Sequence, residues 1–274
     1  MYISVQMLQR MKRVQCVLDQ LHPSNEAEAL CVPGTEPPHN TVIVFTGSFN
    51  PPTVAHIALL KQAQHYIQAR HGMHLYAAFS KRTVDKEGVE RPLILDRITL
   101  LQSILHKRMP RTGILLFNRG LYVEQAQAIR RTFPRVKRVL FLMGFDKIVQ
   151  IFDPHYYADR DAALEALFAQ AELLVAPRGN GGEKEVAELL EQPQNKRFAQ
   201  YVHMQPFDSV YRDVSATQVR QRGSQYERDT LREVRRFMHY TRAYAPPIKR
   251  LDGSEVDIYK ERVTYLSQRL GPVS

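Results

Sequence analysis

The sequence predicts an α/β protein, a doubly wound parallel sheet with helices on both faces. Three observations lead there. Short apolar runs at 42 to 46, 75 to 79, 114 to 118, 138 to 143 and 172 to 176, with a weaker one at 200 to 206, alternate with stretches of helical spacing. Glycine stands at the end of two of these runs, as Gly47 and Gly144, and open α/β sheets bind ligands outside the carboxyl ends of their strands. A chain of 274 residues with 44% hydrophobic residues has enough apolar side chain to fill such a core.

The elements follow in chain order. Residues 4 to 21 place Met7, Leu8, Met11, Val14, Leu18 and Leu21 on one helical face, beside Arg10, Lys12 and Arg13. With so few arginines and with Asp19 present, this reads as a docked helix rather than a targeting peptide. Pro23, Pro33, Pro37 and Pro38 mark a loop, so residues 1–40 are expected to be an extension preceding the first strand. Thr41-Val42-Ile43-Val44 has the composition of a buried strand, and Ile57, Leu59, Leu60, Ala63, Tyr66 and Ile67 have the spacing of a helix. Between them, Gly47 is expected to let the backbone turn sharply and a ligand approach, with free N–H groups and the helix dipole attracting an anion. His56 on the first helical turn can donate to that anion; the bland alternative is a punctuated loop with His56 capping a helix surface.

Leu75 to Phe79 predicts the next strand, followed by the charged loop Ser80 to Lys86, and Arg91-Pro92 opens a helix with apolar positions 94, 98, 101 and 105. Val139 to Met143 predicts a strand running into Gly144-Phe145-Asp146. A carboxylate there commonly accepts hydrogen bonds from a nucleotide ribose, the role assigned to Asp146; the lesser alternative is a cap on the helix that begins at Lys147. Leu173 to Ala176 runs into Pro177-Arg178. Val214-Ser215-Ala216-Thr217-Gln218-Val219-Arg220 reads as a helix start, with Ser215 at the N-cap, Thr217 in the first turn and Arg220 one turn on. Its hydroxyls, N–H groups and guanidinium would face an anion, or else it is an ordinary capped helix. Pro246-Pro247 sets off residues 246–274, with a helix expected from 255 to 269.

The string Gly47-Ser48-Phe49-Asn50-Pro51-Pro52-Thr53-Val54-Ala55-His56 resembles the signature of the nucleotidylyltransferase superfamily, and within it the nicotinamide/nicotinate mononucleotide adenylyltransferases of the eukaryotic-type branch. Many members carry histidine and glycine where this chain has Thr53 and Ala55; threonine is an accepted variant in that branch. Ser215 to Arg220 resembles the family's second signature, and Gly144-Phe145-Asp146 its Gly-x-Asp. The resemblance implies a Rossmann-like domain over 41–245 that transfers AMP from ATP, accompanied by Mg²⁺, to a pyridine mononucleotide. His56, Arg220 and Lys86 would be catalytic, with Lys86 preferred to Lys81. Gly47, Ser48, Phe49, Thr53, Gly144, Asp146, Ser215 and Thr217 would bind ATP and its phosphates. Asn50, Arg97, Tyr156, Tyr157 and Arg178 would bind the mononucleotide, the two tyrosines standing nearest to where the family has a stacking aromatic in this tryptophan-free chain. The alternatives are adenylyl or cytidylyl transfer to another phosphate monoester such as phosphopantetheine, or a non-catalytic nucleotide-binding regulator on the same fold.

Composition narrows the classes. The formal charge of +10 suits phosphate substrates, and without any helix-turn-helix, zinc-finger or RNP-like pattern it does not point to nucleic acid as the main partner. Cys16 and Cys31 have no metal-ligand or disulfide-scaffold spacing, so no resident metal is expected and the expected compartment is reducing, the cytoplasm. No apolar run approaches the ~20 residues that cross a bilayer. Assembly into a homo-oligomer is left open.

Overall fold

The computed structural model describes residues 3–68, 72–81, 91–176, 182–211, 214–222 and 228–273. In chain order the elements are α1 (Val5–Gln20), β1 (Ala29–Cys31), β2 (Asn40–Thr46), α2 (Val54–Gln68), β3 (Met73–Ser80), α3 (Ile94–Arg108), β4 (Gly113–Phe117), α4 (Tyr122–Thr132), β5 (Val136–Gly144), α5 (Phe145–Phe152) and α6 (Arg160–Phe168). They continue with β6 (Glu172–Ala176), α7 (Gly182–Glu191), β7 (Val202–Met204), α8 (Ala216–Arg222), α9 (Arg232–Thr241), a small hairpin β8 (Ile248–Lys249) and β9 (Glu255–Val256), and α10 (Ile258–Leu270).

Seven strands form one sheet in the order β1-β4-β3-β2-β5-β6-β7. All neighbours are parallel except β1, which pairs antiparallel with β4. From β2 the chain winds outward through β3 and β4, then returns to the other side of β2 as β5. The topological switch point therefore lies between β2 and β5, where their carboxyl ends part and a crevice opens.

Side chains of a strand point alternately to the two faces of the sheet. In β2, Ile43 and Phe45 join one core with Met11, Leu18, Leu60, Leu95, Ile98, Val234 and Leu266; Val42 and Val44 join the other with Ile129, Ile148, Leu164 and Phe198. The first face is thus covered by α1, α2, α3, α9 and α10, the second by α4, α5, α6 and α7. A strand buried on both faces reads as a continuous apolar run, which is why these strands were predicted from composition.

The expectation that residues 1–40 precede the first strand is corrected. Residues 29–31 add the antiparallel edge strand, Ala29 opposite Phe117, and α1 buries Met11, Val14 and Leu18 in the main core. At the other end Tyr259 and Leu266 of α10 are 1% and 0% exposed. Both extensions belong to the same packed body as the central sheet. Among the described residues no helix is long and apolar enough to cross a membrane.

Candidate active site

The turn after β2 departs from the simplest expectation about Gly47. Its N–H is not free: it donates to the Ala78 carbonyl at 3.0 Å and continues the β2–β3 ladder. The left-handed residue of the turn is Phe49, with φ 42°. Glycine suits 47 because a Cβ there would meet two carbons of the Phe49 ring at 3.2 Å, a contact tight enough that the ring would have to give way. That ring is 0% exposed and packs edge-on to Phe45 with centroids 5.5 Å apart, and against Phe79 at 5.1 Å. The Phe49 ring is therefore the floor of the turn, and any ligand contact at this residue is through its backbone. Among the described residues the N–H groups of Ser48 and Phe49 make no backbone hydrogen bond, and these are the donors the turn can offer.

His56 stands over that floor, its ring 5.2 Å from Phe49. The Thr53 N–H donates to His56 Nδ1 at 3.0 Å, and the Thr53 hydroxyl lies 2.7 Å from the same nitrogen. A backbone N–H can only donate, so Nδ1 must be the acceptor and the ring proton sits on Nε2. Thr53, 1% exposed, thus fixes the tautomer of His56 and leaves the ring proton on Nε2.

The expected role of Asn50 is corrected. At 2% exposure it is a post inside the turn rather than a ligand contact. Its Oδ1 accepts from the Tyr244 hydroxyl at 2.6 Å, and its amide nitrogen donates to the Arg91 carbonyl at 3.4 Å. Nothing local marked Tyr244, whose only distinction in the sequence is to stand just before Pro246-Pro247. Burial raises the Tyr244 pKa above that of an ordinary phenol, with the Arg97 and Arg220 cations opposing the shift, so the hydroxyl remains a donor to Asn50.

Two guanidinium groups close on the turn. Arg97, on the first turn of α3, donates to the Ser48 carbonyl at 3.1 Å. Arg220, on α8, donates through Nη1 to the Asn50 carbonyl and through Nη2 to the Thr217 hydroxyl at 3.0 Å. Burial lowers the Arg97 pKa from the usual guanidinium value; Tyr244 and Tyr259 oppose this and the neighbouring Arg220 cation adds to it. At the start of α8, Ser215 caps as expected, its Oγ accepting from the Thr217 N–H at 3.2 Å and leaving its own hydrogen to donate elsewhere. The segment beyond also braces the turn: the Val54 N–H donates to the Asp229 carbonyl at 3.1 Å, and Thr53 bridges to Thr230. The two sequence signatures, far apart along the chain, therefore meet at one corner that combines backbone N–H groups of the turn, a histidine and two cations.

Across the switch point, Gly144 is the N-cap of α5 and the exposed Asp146 lies in its first turn. A carboxylate there also favours the positive end of the helix dipole. Tyr156 and Tyr157 follow α5, whose eight residues rise about 12 Å from Gly144. Tyr157 donates its hydroxyl to the Ile151 carbonyl at 2.9 Å, and burial raises its pKa to about 12. Lys81, the lesser candidate for a phosphate contact, is engaged on the carbonyls of Leu18 and Leu21 at 2.8 and 2.9 Å, where a cation satisfies the end of α1. Lys86 and Arg178 lie outside the described residues.

Fold and corner together define a doubly wound α/β protein whose donors and cations converge at the topological switch point. A scan against protein-family models finds no match, and a comparison with curated protein sequences finds none either. Solved structures do resemble it. The Plasmodium falciparum nicotinic acid mononucleotide adenylyltransferase complexed with APC superposes with a TM-score of 0.53 at 13% identity, over 75% of this chain and 98% of the other. A Vibrio parahaemolyticus protein described provisionally as a nicotinate-nucleotide adenylyltransferase covers 75% of this chain and 95% of its own at 14% identity, with a TM-score of 0.41 that is too low to argue from. At such identities the likeness establishes a shared Rossmann-like fold.

Proposed function

We propose that this chain transfers AMP from ATP to nicotinamide or nicotinate mononucleotide, forming NAD or its deamido form and releasing pyrophosphate. The observation that carries the reading is the bond from Arg220 to the Asn50 carbonyl, which brings the second signature onto the first. The resemblance of both signatures to the mononucleotide adenylyltransferases supports it, as does the fold shared with an enzyme named for that activity.

In this reading a phosphate oxygen of the mononucleotide attacks the α-phosphorus of ATP in line. The bond from that phosphorus to the bridging oxygen breaks, and pyrophosphate leaves with the electron pair. No protein nucleophile is required, so the protein's work is to position two anions and stabilise the charge that builds up between them. His56 Nε2–H and the Ser48 and Phe49 N–H groups would hold the α-phosphate, with Gly47 giving the turn its shape. Ser215, Thr217 and Arg220 would hold the outer phosphates. Arg97 would fix the Ser48 carbonyl and add positive potential, Asp146 would accept from a ribose beside Gly144, and Lys86 and Arg178 keep the contacts that the resemblance implies. Mg²⁺ belongs to this scheme as part of the ATP substrate, bound through phosphates and water rather than a protein cage.

The test is pyrophosphate release by the full chain with Mg-ATP and, in turn, nicotinamide mononucleotide, nicotinic acid mononucleotide, phosphopantetheine and no acceptor. Release with a pyridine mononucleotide, accompanied by the dinucleotide product, is expected. Release with phosphopantetheine alone, or none despite measurable ATP binding, would overturn the reading.

A further inference from the structure

At the opposite end of the sheet, Glu36, His39 and His74 come together. Glu36 and His39 lie on the connector between β1 and β2, and His74 is the second residue of β3, paired with Val42. One donor atom from each lies within 4.8 Å of the other two. Val42 stands five residues before Gly47, so about 16 Å of strand separates this cluster from the corner described above. We propose that Glu36, His39 and His74 form a binding site for a divalent transition metal, zinc by class, that fastens the connector to the amino end of the sheet. The proposal is independent of the adenylyl-transfer reading.

The geometry is preset in three respects. The Pro37 carbonyl lies 3.2 Å from His39 Nδ1; a carbonyl can only accept, so Nδ1 carries the proton and Nε2 presents its lone pair. A backbone carbonyl that fixes the tautomer in this way is the usual outer partner of a ligating histidine. Glu36 is held from behind, its carbonyl accepting from the Tyr76 hydroxyl at 3.1 Å. Pro37 and Pro38 lie between the two connector ligands, and their fixed φ angles reduce the freedom lost on binding.

Simpler explanations cover less. The rings of His39 and His74 are 3.9 Å apart and tilted by 51°, and a ring contact alone would account for two of the three residues. An ion pair would account for the third, but among the described residues no partner lies within 4.0 Å of the Glu36 carboxylate. Three donors that face one another beyond hydrogen-bond distance suit an ion between them. Zinc–ligand bonds of about 2.0–2.2 Å place neighbouring donors roughly 3.4 Å apart in a tetrahedron, which rotation of the exposed Glu36 and a modest separation of the two rings would reach. Two nitrogens and one oxygen suit zinc, copper or nickel and not magnesium, which prefers oxygen throughout. Water would complete the coordination.

The full-length chain, stripped with a chelator, is titrated with zinc against a chromophoric indicator, and its thermal midpoint is recorded with and without the metal. One equivalent is expected to bind and to raise the midpoint, since an ion that binds only the folded chain stabilises it. Millimolar Mg²⁺ should do neither. Glu36→Gln, on an exposed side chain that should not disturb folding, and His74→Gln should each weaken zinc at least about tenfold. Failure of the unaltered protein to take up zinc at tens of micromolar, or binding by Glu36→Gln and His74→Gln equal to that of the unaltered protein, would overturn the site.

Discussion

Replacing Arg262 with methionine tests how the carboxyl-terminal helix holds the corner. Arg262 of α10 is 8% exposed and Asp96, on the first turn of α3, is 1% exposed. The guanidinium donates through Nε to Asp96 Oδ2 at 3.0 Å and through Nη2 to Oδ1 at 2.5 Å, and the Tyr259 hydroxyl adds a bond to Oδ2 at 2.8 Å. Methionine keeps most of the side-chain volume and leaves a buried carboxylate with Tyr259 as its remaining described partner. An uncompensated buried charge costs about 3–5 kcal/mol. At roughly 2–4 °C per kcal/mol for a domain of this size, the thermal midpoint should fall by roughly 6–20 °C. The double change Asp96→Asn with Arg262→Met removes both charges and should regain most of that loss, because a matched buried pair contributes little net stability once its desolvation is counted. Urea unfolding with thermal melts gives the free energies. A double variant as unstable as the single one would refute the reasoning, and so would a single variant destabilised by less than about 1 kcal/mol. Arg97 follows Asp96 in the chain, so pyrophosphate release by the single variant, measured well below its midpoint, should fall as well.

His56→Ala should lower turnover by about two to three orders of magnitude with an unchanged circular dichroism spectrum, the loss expected when one charge-stabilising donor is removed; an unchanged rate would remove His56 from the chemistry. Gly47→Ala should cost about 1–3 kcal/mol in urea unfolding, because the new methyl presses on a Phe49 ring with no room to move, and Phe49→Leu added to it should recover part of the loss. A neutral Gly47→Ala would mean that the floor of the turn is softer than its packing indicates. The hydrogen bond from Arg138 holds the Glu172 pKa below the ordinary carboxylate range, with burial opposing and His203 assisting. A depressed folded-state pKa contributes stability that is present above the unfolded value and lost as pH falls through the folded one. The midpoint of the unaltered protein should therefore decline on acidification more steeply than that of Glu172→Gln, and superimposable pH profiles would count against this.

What was legible in the sequence was what is local in the chain. The central strands announce themselves because burial on both faces requires unbroken apolar runs, and the Gly47-to-His56 turn because its parts lie within ten residues. The edge strand at Ala29-Leu30-Cys31 escaped notice because three residues are too few to establish a period.

The features that hold the corner together were out of reach for a different reason. Tyr244 meets Asn50 across 194 positions, and Arg262 meets Asp96 across 166. A single long-range hydrogen bond leaves no periodicity, no spacing and no local composition by which to find it. The same geometry changes the meaning of the carboxyl-terminal segment. Asp257, Tyr259 and Arg262 grip Arg91, Leu93 and Asp96. Those three residues lead into Arg97 and its bond to the Ser48 carbonyl. A stretch that matches no part of the signature pattern is thereby tied, through the short run that leads into α3 and its first turn, to the backbone of the candidate site, so its contribution to stability and its contribution to the geometry of the turn are expected to be lost together.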